Sequence, residues 1–129
     1  FKRINDTYGH LCGDEILREI AKVLKGSLRR KSDWAARYGG EEFLICFPGA
    51  TTDVAYRIAE QMREDIQNRT YHFEGNELKV TISCGVSEMT GDDNLFEIIS
   101  RADKLLYRAK QEGRNRVLYD NASQPQFMR

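Results

Sequence analysis

Apolar residues recur at helical spacing over Ile16, Leu17, Ile20, Val23, Leu24 and Leu28, with Glu15, Arg18, Glu19, Lys22 and Lys25 off the stripe. The spacing predicts a helix over about Asp14–Arg30. Trp34–Tyr38 and Glu42–Phe47 then read as two short strands joined at Gly39-Gly40, and Phe43-Leu44-Ile45-Cys46-Phe47 is apolar throughout, as for a strand covered on both faces. Pro48-Gly49 ends it. Thr52 or Asp53 is placed to cap a second helix whose stripe is Val54, Ile58, Ala59, Met62 and Ile66.

Tyr71–Phe73 and Leu78–Val86 read as strands around a Glu74-Gly75-Asn76-Glu77 turn. In the longer one Leu78, Val80, Ile82, Cys84 and Val86 alternate with Lys79, Thr81, Ser83, Gly85 and Ser87, so the two sets face opposite ways. Gly91-Asp92-Asp93-Asn94 supplies a loop and cap for a third helix with Leu95, Ile98, Ile99, Ala102, Leu105, Leu106 and Ala109 on its apolar face. Gly113 is placed to end it. Val117-Leu118-Tyr119 reads as a last strand and Asp120–Arg129 as a loose polar tail. Alternating helices and strands with a central hairpin predict an α/β, or α+β, sandwich: a mixed, partly antiparallel sheet with helices packed against it.

At 129 residues the chain is long enough for one domain with a real core. Twenty basic and twenty acidic side chains cancel, so there is no basic excess to attract a nucleic-acid polymer, although local clusters can hold a small phosphorylated ligand. No apolar run approaches the roughly 20 residues that span a membrane, and no membrane contact is expected. Cys12, Cys46 and Cys84 are odd in number and far apart, which suggests small buried hydrophobes in a reducing cytosol rather than disulfides or a zinc site. The chain opens on Phe1-Lys2-Arg3 without an initiator Met and is expected to be cut from something longer.

Three polar clusters carry candidate chemistry. In Asn5-Asp6-Thr7-Tyr8-Gly9-His10, followed by Gly13-Asp14, Asn and Asp side chains can pair with a nucleobase edge; equally, Asp14 is a good N-cap and Asn5-Asp6 a usual turn. His10 is read as a packed, structural histidine. In Arg37-Tyr38-Gly39-Gly40-Glu41-Glu42-Phe43, paired glycines suit a tight turn and leave room for a ligand. The glutamates beside them are hard oxygen donors of the kind Mg²⁺ or Mn²⁺ shares with phosphates; a charged surface hairpin is the alternative. In Ala109-Lys110-Gln111-Glu112-Gly113-Arg114-Asn115, Lys110 and Arg114 either complement a helix C-terminus or clamp phosphate.

The three clusters in this order, with Val80-Thr81-Ile82-Ser83-Cys84-Gly85-Val86 and Arg101-Ala102-Asp103 between them, resemble the GGDEF family of diguanylate cyclases over residues 1 to about 119. That resemblance implies a fold similar to the adenylyl-cyclase catalytic domain and the polymerase palm, and a reaction joining two GTP into cyclic di-GMP. It implies that Asn5 and Asp14 hold the guanine edge, that Lys2, Lys110 and Arg114 contact the triphosphate, and that Gly39 and Gly40 let the nucleotide lie close. Glu41 and Glu42 are implied as metal ligands for Mg²⁺ (or Mn²⁺) that help deprotonate the attacking 3′-hydroxyl. A transient homodimer in a bacterial cytoplasm is implied, in a family whose parent proteins can be tethered to a membrane or sensor domain.

Arg30-Lys31-Ser32-Asp33 is similar to the family's RxxD inhibitory site for cyclic di-GMP, with Arg63 as the candidate third member. In the family a further metal-binding aspartate, on a strand preceded by a helix, stands before the Phe-Lys pair; here it is expected upstream of Phe1. A GGDEF module that senses cyclic di-GMP or GTP without turnover is the alternative function, and a purely structural dimerisation domain a third.

Overall fold

The computed structural model describes residues 2–89 and 94–120, with the side chains of Lys2 and Arg3 excepted. Residues 91–93 of the expected loop and 121–129 of the expected tail lie outside them. The chain divides into two compact units, one of residues 1–48 and 68–80 and the other of residues 49–67 and 81–129.

In the first unit, α1 (Lys2–Tyr8) and α2 (His10–Gly26) meet at Gly9, whose φ of 90° breaks the helical run. Asn5 and Asp6 are therefore helical rather than in a turn. Asp14 lies inside α2, so it does not cap that helix, and Gly9 at the cap position offers no side chain. The apolar stripe begins earlier than Ile16: Cys12 is fully buried and adds one turn before Ile16, Ile20, Val23 and Leu24. The helix stops at Gly26 instead of Arg30, because Ser27 and Leu28 donate to the carbonyls of Leu24 and Lys25 in a tightened last turn.

β1 (Trp34–Gly39) and β2 (Glu42–Cys46) pair antiparallel in the expected hairpin, with a bulge at Tyr38. All five residues of β2 are half-buried, so neither face is sealed as the apolar run suggested. β3 (Tyr71–Phe73) and β4 (Asn76–Leu78) form a second antiparallel hairpin. Its two-residue loop is Glu74-Gly75, both at positive φ (47° and 82°), as a type I′ turn requires. Tyr71 is buried and β3 packs against α2.

In the second unit, α3 (Thr52–Asn68) already includes both expected cap residues, so its cap falls one residue earlier, at Thr51. Thr51 Oγ1 accepts from Val54 N (3.4 Å), whereas Thr52 gives its N–H and its hydroxyl to Glu88 Oε1, each at 2.7 Å. Those two bonds, hydroxyl first, hold the Glu88 carboxyl below its ordinary pKa. Ile58, Ala59, Met62 and Ile66 are buried as expected; Val54, in the first turn, is exposed.

The expected strand over Leu78–Val86 is broken. β4 ends at Leu78, and β5 (Cys84–Ser87) pairs instead, in parallel, with β6 (Val117–Asp120). Between them runs α4 (Leu95–Gln111), which packs on both β5 and β6. Asn94 caps α4 by accepting from Glu97 N (2.9 Å). Leu105 and Ala109 are buried, but Leu95, counted on the apolar face, is exposed at the first turn.

Gly85 is what lets β5 lie so close to α4: a Cβ there would meet Ala102 O at 2.1 Å and Leu106 N at 2.6 Å. Tyr56 of α3 and Tyr119 of β6 pack with ring centroids 5.0 Å apart and their planes tilted by 57°. The result is a mixed α/β structure in three two-stranded ladders, two antiparallel and one parallel.

Candidate functional site

A cavity of about 430 Å³ in the first unit is lined by Asn5, His10, Asp14, Leu17, Arg37, Gly39, Gly40, Glu41 and Glu42. Its size suits a small-molecule ligand. Two sequence motifs separated by more than twenty residues converge on it. From α1 comes Asn5; from α2 come His10, Asp14 and Leu17, at the i, i+4, i+7 spacing that puts them on one helix face. From the β1–β2 hairpin come the two glycines and the two glutamates.

Asn5 owes its place to Gly13. The helix face of α2 lacks a Cβ there, and Asn5 Oδ1 fills the space, buried and without a hydrogen-bond partner. A buried amide oxygen left unpaired is costly unless a donor arrives. Asp14 is exposed one position further along α2. An amide and a carboxylate at one wall, with the apolar Leu17 beside them, can meet a flat base that has both an acceptor and N–H donors along one edge.

The hairpin forms the other wall. Gly39 pairs with Glu42, which leaves Gly40 and Glu41 as the turn, and Gly40 takes φ 49°. Arg37 Nε donates to Gly40 O at 2.6 Å and so fixes the turn from inside the loop. A Cβ at Gly39 or Gly40 would meet nothing within 4 Å; their open surroundings leave space in front of the turn. Glu41 is exposed and Glu42 half-buried at its rim.

These two carboxylates fit the way Mg²⁺ is usually held, by one or two carboxylates plus phosphate oxygens and waters. Among the described residues no group of three or more His, Cys, Asp or Glu side chains gathers into an all-protein metal cage. Sequence reasoning did not single out Arg37 or Leu17, although the 10/14/17 helical spacing could have found Leu17. His10, read as structural, also lines the cavity.

Lys110 and Arg114 stand at the end of α4, in the second unit. Arg114 N donates to Ala109 O (2.9 Å), closing the helix with Gly113 at φ 121°. The Arg114 side chain is exposed and Lys110 is half-buried. The side chain of Lys2 lies outside the described residues.

Arg30 and Asp33 lie on the loop between α2 and β1. Asp33 is buried, and its Oδ2 accepts from the backbone N–H of Arg30 (3.0 Å) and of Arg29 (3.1 Å). The Arg30 bond first, then that of Arg29 and the nearby Arg30 charge, hold its carboxyl below the usual range against the opposing effect of burial. Its Oδ1 is buried with no partner, and the Arg30 side chain is exposed. Arg63, on α3, bonds Glu60, Gln67 and Asn115 of its own unit.

The family model described as "Diguanylate cyclase, GGDEF domain" matches residues 1–116. Diguanylate cyclase A of Treponema denticola is 44% identical over 126 residues, which are 97% of this chain and 34% of that protein. The response regulator PleD of Caulobacter vibrioides is 45% identical over 121 residues, 92% of this chain and 26% of that protein. This chain thus spans about a third or less of these curated relatives.

Among solved structures, the GGDEF domain of DgcB from Caulobacter crescentus in complex with c-di-GMP is similar at a TM-score of 0.87. It is 34% identical, with 92% of this chain and 70% of that one covered. The active GGEEF domain of a diguanylate cyclase from Vibrio cholerae is similar at 0.80 and 34% identity, with 92% and 74% covered.

Proposed function

The chain belongs to the GGDEF domain family of diguanylate cyclases, and on that premise we propose that the protein to which residues 1–119 belong condenses two GTP into cyclic di-GMP and two pyrophosphates, with these residues supplying the base, phosphate and hairpin positions and a further metal-binding aspartate standing upstream of Phe1. One observation carries this reading: Asn5 and Asp14 share a single cavity with the Gly39–Glu42 hairpin. The Asn5 amide, which lines the cavity, meets the guanine edge, and the Asp14 carboxylate accepts N–H donors on the same edge. Adenine has an acceptor where guanine has N1–H, so it cannot give the Asp14 carboxylate two adjacent N–H donors.

The open glycine turn lets the triphosphate approach, and Glu41 and Glu42 hold Mg²⁺ (or Mn²⁺) against it. The metal, when bound, neutralises phosphate charge and eases ionisation of the attacking 3′-hydroxyl. Each condensation forms a 3′-O–Pα bond, breaks the Pα–O bond to the β-phosphate, and releases pyrophosphate. One domain presents one GTP, so ring closure needs two domains facing each other, and a transient two-fold homodimer is part of the proposal. Lys2, Lys110 and Arg114 as triphosphate contacts rest on the family motif positions.

We assign product inhibition to Arg30 and Asp33. The unpaired Asp33 Oδ1 is an acceptor for guanine N–H groups, and the exposed Arg30 guanidinium suits a phosphodiester. Base discrimination tests the reading. The full-length protein with Mg²⁺ should turn over GTP and not ATP, and Asp14→Ala should raise KM for GTP. Equal turnover of ATP and GTP would count against it.

A further inference from the structure

The end of α4 is more constrained than a helix stop needs. One left-handed residue after the helix, here Gly113, suffices to close it. Yet Arg114 (φ 65°) and Asn115 (φ 48°) continue with positive φ. Asn tolerates that region; arginine seldom adopts it. Such a conformation persists only where surroundings over-determine it, and it concentrates at ligand clamps.

The surroundings here are specific and lie within one unit. Arg63 Nη1, from α3, donates to Asn115 Oδ1 at 2.9 Å across 52 residues of sequence. Asn115 N donates to Ser83 Oγ at 3.1 Å, just before β5. Arg114 itself is held by its backbone at both ends: its N–H goes to Ala109 O (2.9 Å), and its carbonyl accepts from Arg116 Nε (3.0 Å). Its side chain is exposed. Arg63 is fixed in turn: its side chain is 15% exposed, and Glu60 and Gln67 take further donors of its guanidinium at 2.5 and 2.8 Å.

We infer that Arg63 is a positioning residue: through Asn115 it locks the left-handed turn from which the exposed Arg114 guanidinium is offered to a phosphate group. The inference rests on the reading of Arg114 as a phosphate contact. Pre-organisation of this kind removes the ordering cost otherwise met on binding.

A double-mutant cycle on the full-length protein tests it, read as the Kd of an α,β-methylene analogue of GTP with Mg²⁺. Arg63→Ala and Arg114→Ala should each weaken binding, on the order of tenfold, and the double variant should bind no worse than Arg114→Ala alone. Asn115→Gly keeps the backbone conformation and loses the acceptor, so it should match Arg63→Ala without loss of folding. Asn115→Asp keeps an acceptor for Arg63 and should restore binding. Unchanged binding in Arg63→Ala and Asn115→Gly, or full additivity of Arg63→Ala with Arg114→Ala, overturns the inference and leaves the GTP reading standing. A wild-type protein that does not bind the analogue overturns both.

Discussion

Asn5 Oδ1 occupies the space beside Gly13 where any other residue carries its Cβ: a Cβ built there would lie 1.8 Å from that oxygen. The glycine is a mould for the asparagine. The obstacle is the far end of a side chain, so Gly13→Ala should be relieved by rotation of Asn5. Stability should change little, since the helix gains up to about 1 kcal/mol from alanine. KM for GTP should rise as Asn5 leaves its place in the cavity wall. Urea melts beside steady-state kinetics check this; unchanged KM would mean that Asn5 does not read the base.

Gly85 predicts the opposite outcome. Its missing Cβ faces backbone, Ala102 O and Leu106 N, which cannot rotate away. Gly85→Ala should force β5 off α4 and destabilise the protein by about 1–3 kcal/mol or more. A lowered urea midpoint is the expected readout.

Asp33 gives a pH dependence. Its folded carboxyl titrates below the unfolded value of about 4, mainly because Arg30 N–H, and then Arg29 N–H, stabilise the charged form. The stabilisation is therefore present above about pH 4 and is lost as pH falls through the lower folded value. Asp33→Ala should be less stable than wild type at pH 7, and the gap should narrow below pH 4. Denaturation curves at a series of pH values measure it; a gap that widened on acidification would contradict the assignment.

Cys84 should be chemically silent. Burial, reinforced by the Glu60 charge and opposed by Arg63, pushes its thiol up to about 12. The thiolate is the reactive form, so iodoacetamide at pH 8 should label Cys84 far more slowly in the native protein than in urea, by mass spectrometry.

Much of this was legible in the sequence. The hairpin at Gly39-Gly40, the stripe of α3, the Asn94 cap of α4 and the last strand all follow from spacing and turn chemistry, because each is decided by neighbours in the chain. The start of α2 was not, since a polar stretch with two glycines reads as a turn until Cys12 is seen to be buried. Nor was the break after Leu78: an alternating pattern fixes faces but not partners, and β5 finds its partner in β6, more than thirty residues on. The site shows the same division. Asn5, Asp14 and the glutamates stood out as candidates in the sequence and line one cavity, while Arg63 met Asn115 only through the fold.

The central claim is that the Asn5–Asp14 wall and the Glu41–Glu42 hairpin form one GTP-condensing site. Its most direct test is the formation of cyclic di-GMP from GTP and Mg²⁺ by the full-length protein, followed by mass spectrometry beside Glu42→Gln. The wild type should accumulate cyclic di-GMP and pyrophosphate, and the variant should form about 100-fold less or none. A folded wild type that yields no product, or a Glu42→Gln protein that matches it, would contradict the account.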